Sequence, residues 1–462
     1  MNKTAEVVPN HVKQVKMDIL GDHPVELTRR DFLRALGLGT LATALVSCNQ
    51  SAPSQNRSSP VNIVYQDWRT PWFPPMVAEM LKLFHAEHPE IRVFFTPDPV
   101  NLVQEMSSDL QSGYAPDVFQ GCCTHFPAWA QQGYLLDLNP YVQRDLGDQT
   151  LNDWNPAQLS ALTTEDGLRF GLPKYHGALA LYFNKDIFDE YGVDYPDDSW
   201  DYEDYLAAMR LLRKDDNSTG ETKHWGSAMD ISWDRIQVHI NAWGGHIVDP
   251  QNARKSRLAD EEALAAMEWI RARIWDDRVM PSPLELGSDS ITEAFQSGKL
   301  AMVEDGSWSL KSILTNANFR MGVAPLPAGP AGRATIATTD GFGIFAGTAH
   351  REEAWTLMKF LISEQYGLAM ARANLLQPAR SSLVDDWIKI VREAFPENSK
   401  GLDLEAFAEG TQKGYPVTAE IFSNMPAVKA LIEDAWDQIF VLGDEPVALM
   451  RSVSAKVDEA LG

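Results

Sequence analysis

Beyond residue 60 the chain switches repeatedly between two periodicities. Residues 61–68 (VNIVYQDW) alternate apolar and polar side chains, which predicts a strand that ends in a loop. Residues 74–88 then carry Met76, Val77, Met80, Leu81 and Phe84 at helical spacing and stop before Pro89. A β-branched and aromatic run at 91–96, a helical stretch at 102–112 and a short strand at 116–121 follow, and this order is the signature of parallel βαβ units. The alternation continues, with strands predicted at 169–175, 178–184, 225–229, 300–303, 321–325 and 341–345. Helices are predicted from Trp200, capped by Ser199, and at 261–275, 291–296, 352–363, 425–440 and 445–461.

No repeat of 20–50 residues is present in the 462, which argues against solenoids and propellers. A length of 462 residues exceeds what one doubly wound sheet usually holds, so the pattern predicts two α/β lobes. Open α/β sheets take ligands at the carboxyl ends of their strands, and two such lobes facing each other create a cleft. The net charge of -24, from 64 Asp and Glu against 40 Lys and Arg, opposes binding to phosphate backbones, so no nucleic-acid partner is expected.

The first 48 residues belong to export rather than to the fold. Arg29 and Arg30 precede Phe32-Leu33, and the apolar run at 35–46 ends in Leu45-Val-Ser-Cys48. That run is shorter than the roughly 20 residues of a membrane span and has its basic flank on the N-terminal side. The string resembles a twin-arginine (Tat) export signal followed by a bacterial lipobox, which implies lipidation of Cys48 and a location on the outer face of the cytoplasmic membrane or in the periplasm. Residues 49–60, with the Ser- and Pro-rich string SAPSQNRSSP, read as a flexible tether.

The body resembles family 1 of the extracellular solute-binding proteins of ABC transporters, the class that includes the maltose-binding protein. The resemblance rests on ordered pieces: Ala115-Pro-Asp-Val, Trp129-Ala-Gln-Gln-Gly-Tyr-Leu-Leu-Asp-Leu-Asn-Pro, Gly171-Leu-Pro-Lys-Tyr-His and Leu181-Tyr-Phe-Asn-Lys-Asp-Ile-Phe. It continues through Ser199-Trp-Asp-Tyr-Glu-Asp-Tyr, Ala242-Trp-Gly-Gly, Ala294-Phe-Gln-Ser-Gly-Lys-Leu-Ala-Met-Val-Glu-Asp-Gly-Ser-Trp and Ala354-Trp-Thr-Leu-Met-Lys-Phe-Leu. It implies the type II periplasmic-binding-protein fold, an α/β architecture of two lobes with a hinge of crossing strands and a ligand cleft between them. By that analogy the first lobe is 61–173 plus 318–376 and the second is 177–315 plus 380–462. The implied role is capture of a sugar or polyol and delivery to the permease subunits of an importer, by a monomer without cofactor or catalytic residues.

A neutral sugar offers hydroxyls and apolar faces, so its site needs aromatic platforms among fixed polar groups. Of the 14 tryptophans, Trp129, Trp269, Trp275, Trp355, Trp387 and Trp436 lie in helical stripes and read as core. Trp68, Trp233, Trp243 and Trp308 follow strand candidates or sit in Gly- and Ser-containing loops and read as ligand platforms, Trp308 foremost by the family pattern. Polar candidates at strand ends are Asp67, Thr124, His125, Tyr175, His176, Asp305, Asp340 with Gly341, and Arg380, since carboxylates accept hydroxyls and an arginine donates in a fork.

The adjacent Cys122 and Cys123 admit three readings: small packing residues, a strained vicinal disulfide in a ligand loop, or a metal site with His125. Asp215 to Gly220 begins like a calcium loop, but its twelfth position is Gly226, where a Glu is required. His85 and His88 read as solvated helix-end residues rather than zinc ligands, and no metal site is expected. Alternatives to the sugar-binding reading are a secreted carbohydrate-active enzyme using two carboxylates, an exported oxidoreductase, and a binding protein for a cationic solute such as a polyamine.

Overall fold

The computed structural model describes residues 59–462 apart from 216–221, 337, 339, 414, 416, 419–421 and 423. Arg29, Arg30, Cys48 and nearly all of the tether therefore lie outside the described residues, as does most of the string from Asp215 to Gly220. No helix among the described residues is long and apolar enough to cross a membrane.

The first sheet has five strands in the order Ile91–Pro97, Val61–Asp67, Val118–Gly121, Gly341–Ile344, Leu172–Pro173. Its first three strands are parallel, with Val61 opposite Ile91 and Tyr65 opposite Val118. The helices Phe73–Glu87 and Leu102–Ser112 make the two crossovers. Ile63 to Asp67 are buried without a break, as a central parallel strand covered on both faces requires. Gly341–Ile344 then joins antiparallel to both its neighbours. The core under this sheet gathers Ile63, Tyr65, Phe73, Phe84, Trp355 and Tyr366.

The second sheet departs from the parallel pattern. Leu179–Asn184, buried at every position, is flanked on both sides by antiparallel strands, Met302–Gly306 and Met321–Ala324. The strand expected at 225–229 is reduced to isolated parallel bridges, Trp225 to Leu300 and Met229 to Glu304. Met321–Ala324, placed in the first lobe by the family analogy, pairs with Leu179–Asn184 instead. A four-residue apolar strand carries no local mark of its partner, so only the assembled sheet decides this. The helix expected to begin at Trp200 runs over Tyr202–Leu212, and its cap is Asp201 rather than Ser199. Asp201 accepts from the N–H groups of Glu203 and Asp204 at 2.8 and 3.0 Å, and the Asp204 carboxylate accepts from the N–H of Asp201 at 3.3 Å.

Three chain segments cross between the two sheets. The predicted strand at 169–175 breaks at Lys174 into Leu172–Pro173, which stays in the first sheet, and Tyr175–His176, which pairs antiparallel with Gln377–Pro378. The third segment approaches Gly341 past Thr338. Gln158 ties it to the first by donating to the carbonyls of Tyr175 and Thr338 at 2.7 and 2.8 Å, and Gly177 N–H donates to Thr338 Oγ1 at 3.1 Å.

Candidate functional site

The carboxyl end of Val61–Asp67 and the first crossing segment meet in a buried charged centre. Lys174 Nζ contacts Asp67 Oδ1, and both side chains are fully buried. Asp67 also accepts from Tyr65 Oη at 2.5 Å and from the Trp68 N–H at 2.6 Å. The Lys174 ammonium lies 3.1 Å from the centroid of the Trp68 ring and 4.7 Å from that of Phe73. Burial raises the Asp67 carboxyl and lowers the Lys174 amine, and their mutual attraction opposes both shifts. Beside them Asp98 accepts from Gln66 and Gln120 at 3.0 and 2.7 Å, and burial pushes its carboxyl up to about 6.

Asp340 stands next to this centre because of strand register. Gly341 lies opposite Gly121 on one side and Pro173 on the other, so Asp340 falls between Cys122 and Lys174. Its carbonyl accepts from the Lys174 N–H at 3.1 Å. Burial raises its carboxyl to about 6 against the attraction of Lys174, with Asp67 adding to the rise.

A second charged cluster belongs to the second sheet. Asp305, on Met302–Gly306, accepts from Thr292 Oγ1 at 2.7 Å and from Arg235 Nη2 at 3.3 Å. Arg235 also donates from Nη1 to Asp234 at 2.7 Å, and its guanidinium lies 5.2 Å from the Trp308 centroid. Burial works against the Arg235 charge, but Asp234, Asp305 and Asp230 together outweigh it and hold the group charged. Trp308 is half-buried and packs against the cores of both sheets. Two glycines make room for its indole: a Cβ at Gly306 would come within 2.2 Å of the ring and one at Gly177 within 3.1 Å.

The structure thus gathers Asp67, Trp68, Tyr175, Asp340 and Gly341 around Lys174, and Asp305 and Trp308 around Arg235, with Trp308 packing against both cores. Trp68 packs edge-on to Tyr175 with ring centroids 5.6 Å apart. Thr124 and His125 open the short helix His125–Gln131 beside Cys122. The His125 ring packs on Trp129 at 4.8 Å, and burial, with Lys429 adding, lowers it to about 4, so it is neutral.

The other predicted residues are placed differently. His176 is buried and paired through its backbone with Gln377, and burial lowers it to about 4 against a hydrogen bond with the Phe407 backbone. Trp233 is not in a loop but opens the helix Trp233–Ala242, packed on Phe422 and Trp436 at 6.0 and 5.4 Å. Trp243 caps the other end of that helix, among Tyr202 at 4.5 Å and Trp269 at 5.8 Å. Arg380 is committed elsewhere, with Nη1 3.5 Å from Asp153, Nε donating to the Ile362 carbonyl at 3.3 Å and the guanidinium over Trp154. Among the tryptophans read as core, Trp129, Trp355, Trp387 and Trp436 are buried, whereas Trp269 and Trp275 are partly exposed.

Lys174 and Arg235 were not among the predicted candidates, yet they pair with two of them, Asp67 and Asp305. The signal for Lys174 was available, since a lone charge within the otherwise uncharged run Phe170 to Asn184 requires a buried partner. For Arg235 the helix that aims it had not been predicted. His85 and His88 serve local structure: His85 Nε2 accepts from the Val93 N–H at 3.0 Å, and His88 lies 3.3 Å from Glu90. No group of three or more His, Cys, Asp or Glu among the described residues is placed to hold a metal ion. A cavity of about 300 Å³ between Gly244, Asp249, Arg257 and Glu262 shares no residue with these two clusters, and its Arg257 is already paired with Asp249 and Asp260.

Residues 67–368 match the family model of the bacterial extracellular solute-binding proteins. A putative binding protein of Brucella abortus is 25% identical over 395 residues, covering 84% of this chain and 90% of its own. A maltooligosaccharide ABC transporter solute-binding lipoprotein of Streptococcus pneumoniae is 25% identical over 312 residues, covering 64% of this chain and 68% of its own. Among solved structures, an ABC substrate-binding protein of Listeria monocytogenes in complex with cycloalternan superposes with a TM-score of 0.75 at 21% identity, covering 87% of this chain and all of that one. The shared fold, the family match and its extent place the chain in one family: it belongs to the bacterial extracellular solute-binding proteins.

Proposed function

We propose that this chain is the substrate-binding component of an ABC importer, that its ligand is an oligosaccharide or polyol, and that it binds without turning the ligand over. The observation that carries this reading is the Trp308 indole, seated between Gly177 and Gly306 where both cores meet, with Arg235 beside it and Asp305 bonded to Arg235. A flat ring beside a fixed donor fork and carboxylates suits a sugar face rimmed by hydroxyls. The Streptococcus pneumoniae and Listeria proteins, whose names specify a maltooligosaccharide and cycloalternan, support the same ligand class.

In this reading Trp68, Tyr175, Thr124 and His125 line the first wall and Trp308, Arg235 and Asp305 the second. Closure about the hinge segments buries the ligand between them. Arg29 and Arg30 direct export, Cys48 carries the lipid, and the protein acts as a single copy that delivers to a permease. A thermal-shift panel of maltooligosaccharides, other sugars, polyols and polyamines tests it. A ligand present at 100 times its dissociation constant adds about 2.7 kcal/mol of stability, so a matching sugar raises the melting temperature visibly. A panel in which only polyamines shift the melt would overturn the sugar reading.

A further inference from the structure

Cys122 and Cys123 follow the strand Val118–Gly121 and precede the helix His125–Gln131. In an extended chain neighbouring side chains point to opposite faces. Here Cys123 adopts the left-handed φ of 55°, the chain turns, and the two Sγ atoms come to 2.7 Å. Strand register puts Cys122 beside Asp340, whose other neighbour is Lys174. Cys123 is exposed and Cys122 partly buried. The helix His125–Gln131 starts two residues later and reaches the other side of the cleft, where Gln131 Nε2 donates to the Phe422 carbonyl at 3.3 Å. The pair therefore sits at the root of a contact between the lobes.

We propose that Cys122 and Cys123 are a reversible oxidation site, which closes to a vicinal disulfide and thereby favours the closed, ligand-holding arrangement of the lobes. The ligand part of this statement rests on the function proposed above. The oxidant is a small-molecule disulfide. The exposed Cys123 thiolate attacks one of its sulfurs, the S–S bond breaks, and one thiol leaves with a proton from solvent. Cys122, after losing its proton, attacks Cys123 Sγ and displaces the second thiol. Two protein thiols are oxidised and one external disulfide is reduced to two thiols. The hydrogen bond to Cys123, and then burial, raise the Cys122 thiol, and Cys123 is the more exposed of the two, so it meets the oxidant first.

Neighbouring Cα atoms are about 3.8 Å apart across a trans peptide, short of the roughly 4.4–6.8 Å of ordinary disulfides, so the ring is strained and readily reduced. Strained and exposed disulfides are the labile, regulatory ones. The sulfurs meet while helices His125–Gln131 and Met425–Trp436 are packed together, so bond formation needs no separation of that contact. Linkage then makes oxidation and closure mutually favourable.

The test uses the purified full chain, fully reduced or treated with glutathione disulfide, with peptide mass spectrometry, hydrogen exchange and maltotriose titration. The expected result is loss of two hydrogens within the Cys122–Cys123 peptide and exchange about tenfold slower in residues 125–131 and 425–436. Maltotriose binding tightens by a similar factor, within the usual range of couplings. Cys122→Ser and Cys123→Ser each retain the fold and lose the response. Thiols that stay free, a glutathione adduct that never closes, or a ring that leaves exchange unchanged would overturn the proposal. If maltotriose binds neither form, the maltooligosaccharide reading of the ligand fails, and the exchange data still decide the oxidation site.

Discussion

Replacing Lys174 by Met removes a buried charge and keeps most of the side chain's length and apolar volume. The partner Asp67 is fully buried, and its other donors are Tyr65 Oη and the Trp68 N–H. Breaking one member of a buried pair leaves an uncompensated charge, which costs about 3–5 kcal/mol. The ammonium also lies 3.1 Å from the Trp68 centroid, and a desolvated cation–π contact is worth about 2 kcal/mol, but it is the same charge counted from another side and is not added. Lys174→Met is therefore expected to lower unfolding free energy by about 3–5 kcal/mol in urea melts. Adding Asp67→Asn should restore at least half of this loss, because neutral partners of similar volume often replace a buried ion pair at little cost. The pH sign follows from Asp67. Its folded carboxyl is raised above the unfolded value of about 3.9, and losing Lys174 raises it further, so the favoured form is neutral. That contribution is complete below the unfolded value and disappears as pH rises through the folded one, so the deficit of Lys174→Met should shrink at acid pH. A single variant that loses under about 1 kcal/mol, with a double variant equal to the sum of the singles, would refute a charge-paired centre.

Trp308→Ala should weaken sugar binding at least about tenfold and, because the ring packs on both cores, also lower apo stability by about 3 kcal/mol, whereas Trp243→Ala should affect stability alone; titration calorimetry beside urea melts separates the two. Gly306→Ala, whose Cβ would meet the indole at 2.2 Å, should weaken binding without removing any ligand-contacting group, and unchanged affinity would place the ring outside the site. Asp340, raised to about 6, contributes stability that is complete below about pH 4 and lost as pH climbs through 6, so melts of Asp340→Asn between those limits should fall less steeply than wild type; Asp98, also near 6, leaves a residual slope in both. Cys48→Ser should release the protein from membranes with an unchanged melting temperature, and a variant that still sediments after a high-salt wash would remove the lipid anchor.

Local signals settled much of the fold. The helices Leu102–Ser112, Glu261–Trp275 and Ile291–Gln296 begin and end where the apolar stripe and the flanking residues predict, and Ser290 closes a capping box with Glu293. The three parallel strands of the first sheet were legible for the same reason, since each βαβ unit is contiguous in sequence. Strand partnership was not. Met321–Ala324 and Tyr175–His176 are short, and their partners lie more than a hundred residues away, so nothing in their own composition distinguishes one sheet from another.

The site divides along the same line. Residue type and position at strand ends named Asp67, Trp68, Asp305 and Asp340 as candidates, and the family pattern put Trp308 foremost. Whether a side chain there faces the cleft depends on register and helix direction, and these turned Arg380 toward Asp153, committed His176 to the hinge and aimed Arg235 at Trp308. Lys174 shows the limit most plainly. Its charge within an apolar run demands a partner, but only the packing of the first crossing segment against the end of Val61–Asp67 supplies Asp67, 107 residues away in the chain. Periodicity, caps and composition act over a few residues and could be read from the chain alone; charge pairing and facing walls depend on distances that exist only once both sheets and the three crossings are assembled.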